Sequence, residues 1–117
     1  MLNQIVMVGR LVGEPEVKEL EDGKEVSNIT LAVPRSYKNA EGEYETDFVD
    51  CTLWNGVARN ACEYLKKGDL VGIKGRVETK VVETDGESRK YTTVVAEKLT
   101  FLSSRKNEID EELEQQR

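Results

Sequence analysis

Between residues 54 and 70 the spacing of apolar side chains changes from strand-like to helical and back, the one such interruption in the chain's strand pattern before residue 103, and this limits the folds open to the chain. Val57, Ala61, Tyr64 and Leu65 recur at helical spacing, with Asn55 placed to cap the start and Gly68 just past the end. Upstream, residues 3–12 form an extended apolar run. Gly9 inside it suits a bulge or sharp bend. Residues 26–33 alternate, with Ile29, Leu31 and Val33 facing one way and Asn28 and Thr30 the other. Pro34 lacks a backbone donor and is expected to end or edge that strand, leaving residues 35–45 as a polar loop. A third strand covers residues 46–54. Downstream, residues 70–82 form a strand with Val71, Ile73, Gly75, Val77, Thr79 and Val81 on its apolar side. Lys74, Arg76, Glu78 and Lys80 lie on its polar side. Asp85-Gly86 marks a hairpin into a last strand over residues 91–102.

The order is three strands, one helix, two strands. Strands this short cannot bury both faces of an open sheet, so closure into a small barrel is favoured, with the helix plugging one end. That arrangement is the OB-fold, an all-β, five-stranded Greek-key barrel with its helix between strands three and four. An α+β roll would put the helix elsewhere in the order. The 117 residues suffice for one such domain, expected over residues 1–104, with a short charged tail over 105–117.

Strand three carries the functional signal. Alternation puts Val49, Cys51 and Leu53 on one apolar face suited to a core. Phe48 and Trp54 fall on the other face, with Asp50 and Thr52. Two large aromatics on the polar side of a strand suit a platform for flat ligands, and nucleobases stack on such platforms. Covering a second core or a subunit interface is the alternative use of the same face.

Composition narrows the remaining classes. The net charge of −6 opposes nucleic-acid binding as a sum, yet binding depends on where the charges sit. Acid concentrates in residues 14–25, 41–47 and 108–114, whereas Arg10, Arg35, Lys38, Arg76 and Lys80 lie on or beside strands. The chain has no histidine, and Cys51 and Cys62 do not show metal-ligand spacing, so neither a metal nor another cofactor is expected. The carboxylates fall in turns and the tail, and no nucleophile has a base beside it, so an enzyme is not expected. No apolar run approaches a membrane span and no secretion signal is visible, which points to the cytoplasm. A protein-interaction accessory of a primosome or recombination complex is the other reading of an OB-type domain with an aromatic face.

Several segments together resemble a known family, the bacterial-type single-stranded-DNA-binding proteins (SSB). They are residues 1–11 (MLNQIVMVGRL), 14–17 (EPEV), 26–33 (VSNITLAV), 42–43 (GE), 46–48 (TDF), Trp54, 63–68 (EYLKKG), Gly75-Arg76 and 91–93 (YTT). The pieces run in the family's order over residues 1 to about 102. The resemblance implies an OB-fold homotetramer that binds single-stranded DNA by stacking, in replication, recombination or repair. It places the stacking positions on Tyr37, Phe48 and Trp54, and a fourth aromatic position on Val82. Arg35, Arg76 and Lys80 are the expected phosphate contacts, with Arg10 and Lys18 as further ones. The resemblance departs at the end, where an acidic Pro-Phe tip is absent. A tail-less or truncated member, from a paralogue or a phage or plasmid copy, is expected to coat DNA without recruiting tail-binding replication or repair proteins.

Overall fold

The computed structural model describes residues 1–103; the expected tail over 105–117 lies outside the described residues. The elements are β1 (Ile5–Leu11), β2 (Lys18–Glu19), β3 (Glu25–Lys38), β4 (Tyr44–Trp54), α1 (Asn55–Tyr64), β5 (Leu70–Thr84) and β6 (Glu87–Ser103). β1 runs antiparallel to β5 and, at Arg10 and Leu11, also to β3. β3 and β5 pair antiparallel with β4 and β6, and β4 pairs in parallel with β6 from Cys51 to Leu53. The circuit β1–β3–β4–β6–β5 therefore closes on itself. This is the five-stranded OB barrel with its helix between the third and fourth barrel strands; the two-residue β2 adds only a short edge to β3.

Alternation determines what fills the barrel. Ile29 and Leu31 of β3, Cys51 and Leu53 of β4, Val71 and Ile73 of β5 and Val94 of β6 are buried together. Ala58, Ala61 and Leu65 close the end of that core from the helix side. Each large aliphatic taken out of water contributes about 1.5–3 kcal/mol. Burial pushes the Cys51 thiol up to about 11, with Asp50 adding to the effect, so it packs as an inert apolar group. β1 can sit between two neighbours because Gly9 has no side chain: a Cβ there would lie 2.8 Å from the Ala32 carbonyl oxygen. The glycine thus serves close approach at the seam.

Four expectations require correction. Pro34 does not end its strand. β3 runs on to Lys38; Pro34 is still opposite Thr46, and the ladder turns irregular between Pro34 and Lys38, so the missing donor falls at the edge of the regular pairing. Most of the expected 35–45 loop is therefore a hairpin arm, turning at residues 39–43. Asn55 does not cap α1; Trp54 holds that position without a side-chain cap, and the Asn55 side-chain oxygen instead accepts the Glu25 backbone N–H at 3.1 Å. Tyr64 does not join the core either. It is exposed and meets Phe101 with ring centroids 5.7 Å apart. Finally, the apolar side of β5 is buried only as far as Gly75. Val77, Thr79 and Val81 are exposed, because β5 and β6 leave the barrel as a long hairpin. Asp85 (φ 52°) and Gly86 (φ 81°) form its turn as expected, both in the left-handed region that a two-residue hairpin requires.

Candidate nucleic-acid interface

The outward face of β4 carries Tyr44, Thr46, Phe48, Asp50, Thr52 and Trp54. Phe48 is 67% exposed and Trp54 37%, while Cys51 and Leu53 between them are buried. The parity read from sequence is the parity of the fold. Cross-strand pairs show what flanks each ring. Trp54 lies opposite Val26, and Val26 opposite Lys18 of β2. Phe48 lies opposite Ala32, and Ala32 opposite Arg10 of β1. Each of these two aromatics thus shares a row with a cation two strands away, at about 10 Å between strand axes.

Polar groups between the rings are engaged with one another. Thr30 Oγ1 donates to Asp50 Oδ1 at 2.8 Å, and Thr52 Oγ1 donates to Asn28 Oδ1 at 3.1 Å. The Asp50 charge remains on this face, but one of its oxygens already has a donor. Thr52 also approaches Thr93 Oγ1 at 3.4 Å, which joins the β4 face to the β5–β6 hairpin.

Along that hairpin the pairs Glu78–Thr93, Lys80–Tyr91 and Val82–Arg89 continue the same side. Lys80 therefore stands directly opposite Tyr91. Arg76 is shared between Glu78 at 3.5 Å and Glu97 at 3.8 Å, both loose ion pairs. Among the described residues, no carboxylate lies within 4 Å of the ammonium group of Lys18 or Lys80.

Arg35, an expected phosphate contact, is engaged with two carboxylates of the arm. Its guanidinium donates to Asp47 through Nε (3.1 Å to Oδ2) and a terminal nitrogen (2.9 Å to Oδ1). A second terminal nitrogen donates to Glu45 at 2.6 Å. The hydrogen bond from Arg35 holds the Asp47 carboxyl below the usual carboxylate range, and the same bond raises the Arg35 pKa. Glu45 and Asp47 alternate with Tyr44, Thr46 and Phe48, so the cluster lies on the reverse of the arm. Tyr37 sits in the irregular part of β3, exposed, two residues from Arg35. Arg10 Nη1 donates to the Gly68 carbonyl at 3.0 Å, which ties it to the turn before β5.

The single-strand binding protein family model matches residues 2–102. The chain belongs to this family. Among its relatives, single-stranded DNA-binding protein 3 of Listeria innocua serovar 6a is 44% identical over 108 residues, covering 92% of this chain and 68% of that protein. Single-stranded DNA-binding protein B of Bacillus subtilis (strain 168) is 42% identical over 109 residues, covering 92% and 96%. A solved structure of a Plasmodium falciparum SSB complex with ssDNA superposes with a TM-score of 0.77 at 25% identity, covering 88% of this chain and 96% of that one.

For this single-strand binding family member, sequence reasoning brought out Phe48 and Trp54 but passed over two other exposed rings. Tyr91 is 51% exposed on the hairpin side that continues from Thr52. Its neighbours Thr84, Asp85, Glu87 and Arg89 line a shallow hollow with it near the hairpin tip. The signal was its pairing with Lys80 across the Asp85-Gly86 turn, which a count outward from that turn gives. Tyr44 shares the parity of Phe48, but its sequence surroundings read as a loop, where parity has no meaning.

Proposed function

We propose that this protein binds single-stranded DNA without sequence preference, by base stacking and phosphate contacts, in replication, recombination or repair. The observation that carries this is the face of β4: Phe48 and Trp54 stand out from a strand whose opposite side already fills the core. Bases stack on Trp54, Phe48 and Tyr37, each worth about 1–3 kcal/mol. Every base has a π-face, so stacking is blind to sequence, and a duplex hides those faces. Tyr91 takes the place of the aromatic that Val82 does not supply, since the two sit on neighbouring strands of one hairpin side.

Lys18, Arg10 and Lys80 follow the phosphates, with Arg76 contributing what Glu78 and Glu97 leave of its charge. Arg35 acts on the protein instead. It neutralises Glu45 and Asp47 and draws them to the reverse of the arm, which keeps two negative charges from the strand's path. The salt dependence of oligo(dT) affinity tests this division. Lys18→Ala and Lys80→Ala should each reduce the slope of log K against log salt by about 0.7, whereas Arg35→Met should not reduce it. Unchanged slopes in both lysine variants would contradict the assignment.

Assembly into a homotetramer belongs to the same proposal. β1 turns Val6, which is 71% exposed, and Val8 outward. Val8 pairs with Gly72, and the Leu102 side chain lies 3.4 Å from where a Gly72 Cβ would be. The result is an apolar strip across β1, β5 and β6, which a second copy would cover. Light scattering should give a mass near four chains, and Val8→Glu should lower it. A wild-type mass near one chain would end this part of the proposal. No helix among the described residues is long and apolar enough to cross a membrane. A role on DNA supports a location in the bacterial nucleoid, or in the host cytoplasm for a phage-borne copy.

A further inference from the structure

The β3–β4 arm carries an aromatic and a cation that no part of the site described so far uses. Tyr44 is the first residue of β4 and is 61% exposed. It has the parity of Phe48, four residues on, which puts it about 13 Å further along the same face. Lys38 is its direct cross-strand partner, and the Lys38 ammonium lies 5.6 Å from the centre of the Tyr44 ring. A cation at that distance is drawn to the negative face of the ring. The Lys38 ammonium thus sits over one face of the ring, and the exposure of Tyr44 leaves ring surface in reach of a base.

The arrangement repeats the pattern of the two inner rows. Trp54 shares its row with Lys18 and Phe48 shares its row with Arg10; Tyr44 shares its row with Lys38, one strand away instead of two. Acid near the tip would oppose a phosphate here. Glu45 and Asp47 are nevertheless on the reverse side and bound to Arg35, which leaves Glu41 and Glu43 at the turn as the acids on the arm without an ion pair among the described residues. Asn39, at the turn, accepts the backbone N–H groups of Glu41 and Glu43, which fixes the end of the arm without using Lys38 or Tyr44.

We propose that Tyr44 and Lys38 form an outer binding subsite for single-stranded DNA, in which a base stacks on the exposed ring surface of Tyr44 and Lys38 holds the adjoining phosphate. The inference rests on the stacking role of Phe48 and Trp54 and extends it along the strand. The subsite lengthens the bound segment toward the hairpin tip. It therefore acts only on strands long enough to reach past Phe48.

Oligo(dT) of increasing length, from about 4 to about 16 nucleotides, tests this with Trp54 fluorescence as the readout. Tyr44→Ala should leave the shortest oligomers bound as in the wild type and weaken the longest by roughly 5- to 150-fold, the equivalent of one stacked base. Tyr44→Phe keeps the ring and should restore the long-strand affinity. Lys38→Met should lower the salt slope by about 0.7 for long strands alone. Tyr44 is exposed, so thermal unfolding of these variants should match the wild type. Equal affinities for wild type and Tyr44→Ala at every length, or an equal loss at every length, would overturn the subsite. A wild type that binds no oligo(dT) would instead remove the reading on which the subsite rests, and the two failures are distinguishable.

Discussion

Phe48→Ala combined with Trp54→Ala should lower the affinity for oligo(dT) by about 2–6 kcal/mol, the sum of two stacked bases at about 1–3 kcal/mol each. The rings are six residues apart on one strand face, about 20 Å, so they contact different bases and their losses should add. Each single variant should give about half of the total. The fold should survive. Phe48 contributes little to the interior at its exposure, and the core side of β4 is filled by Cys51 and Leu53 without it. Trp54 is more enclosed and begins the helix, so its replacement should cost some stability. It should not reach the roughly 3–5 kcal/mol of a buried tryptophan lost from a core. Equilibrium titration by anisotropy, beside thermal melts of the same proteins, separates the two outcomes. A double variant that melts far below the wild type yet binds normally would make this face a packing surface.

Gly75→Ala should be the most damaging single methyl group that can be added to the barrel. At Gly75 the pairing of β5 with β6 shifts register, with Lys74 opposite Lys98 but Gly75 opposite Ala96. The two backbones come so close there that a Cβ would overlap the Val95 carbonyl and press on the Ala96 backbone. Neither neighbour is a flexible side-chain end, so the strands must part. That should cost on the order of 3 kcal/mol, or a fall in melting temperature of more than about 10 °C for a domain of this size. Gly72→Ala is the matched control. Its Cβ would meet the Leu102 side chain at 3.4 Å, an ordinary contact that a small rotation relieves. Equal melting temperatures for the two variants would mean that the strands do not approach as described.

What could be read from the sequence was whatever local period and burial decide. The alternation through Val49, Cys51 and Leu53 gave both the core side of β4 and the outward placement of Phe48 and Trp54. The one helical stretch between strands gave the order of elements, and that order gave the barrel. What could not be read depends on partners distant in sequence. Pro34 breaks a ladder in isolation, but β3 tolerates it because the pairing with β4 is irregular from there to Lys38. Arg35 looked like a free cation beside an aromatic. Only the hairpin register reveals Glu45 and Asp47 waiting for it, and those carboxylates are ten and twelve residues away. The outward turn of Val77, Thr79 and Val81 was hidden for the same kind of reason. Their alternation is that of a core strand, and nothing local says that the barrel ends at Gly75. Tyr91 can be placed on the face by counting outward from the Asp85-Gly86 turn, whereas Tyr44 joins it only once its pairing with Lys38 is known.

If Trp54 is a platform for an unpaired base, its own fluorescence reports the stacking most directly, because it is the only tryptophan in the chain. Titrating the wild-type protein with oligo(dT) should quench that emission strongly and saturably, and added salt should reverse the quenching. The same quantity of duplex should leave it almost unchanged. Emission that ignores oligo(dT), or that responds equally to duplex, would contradict the role assigned to this face.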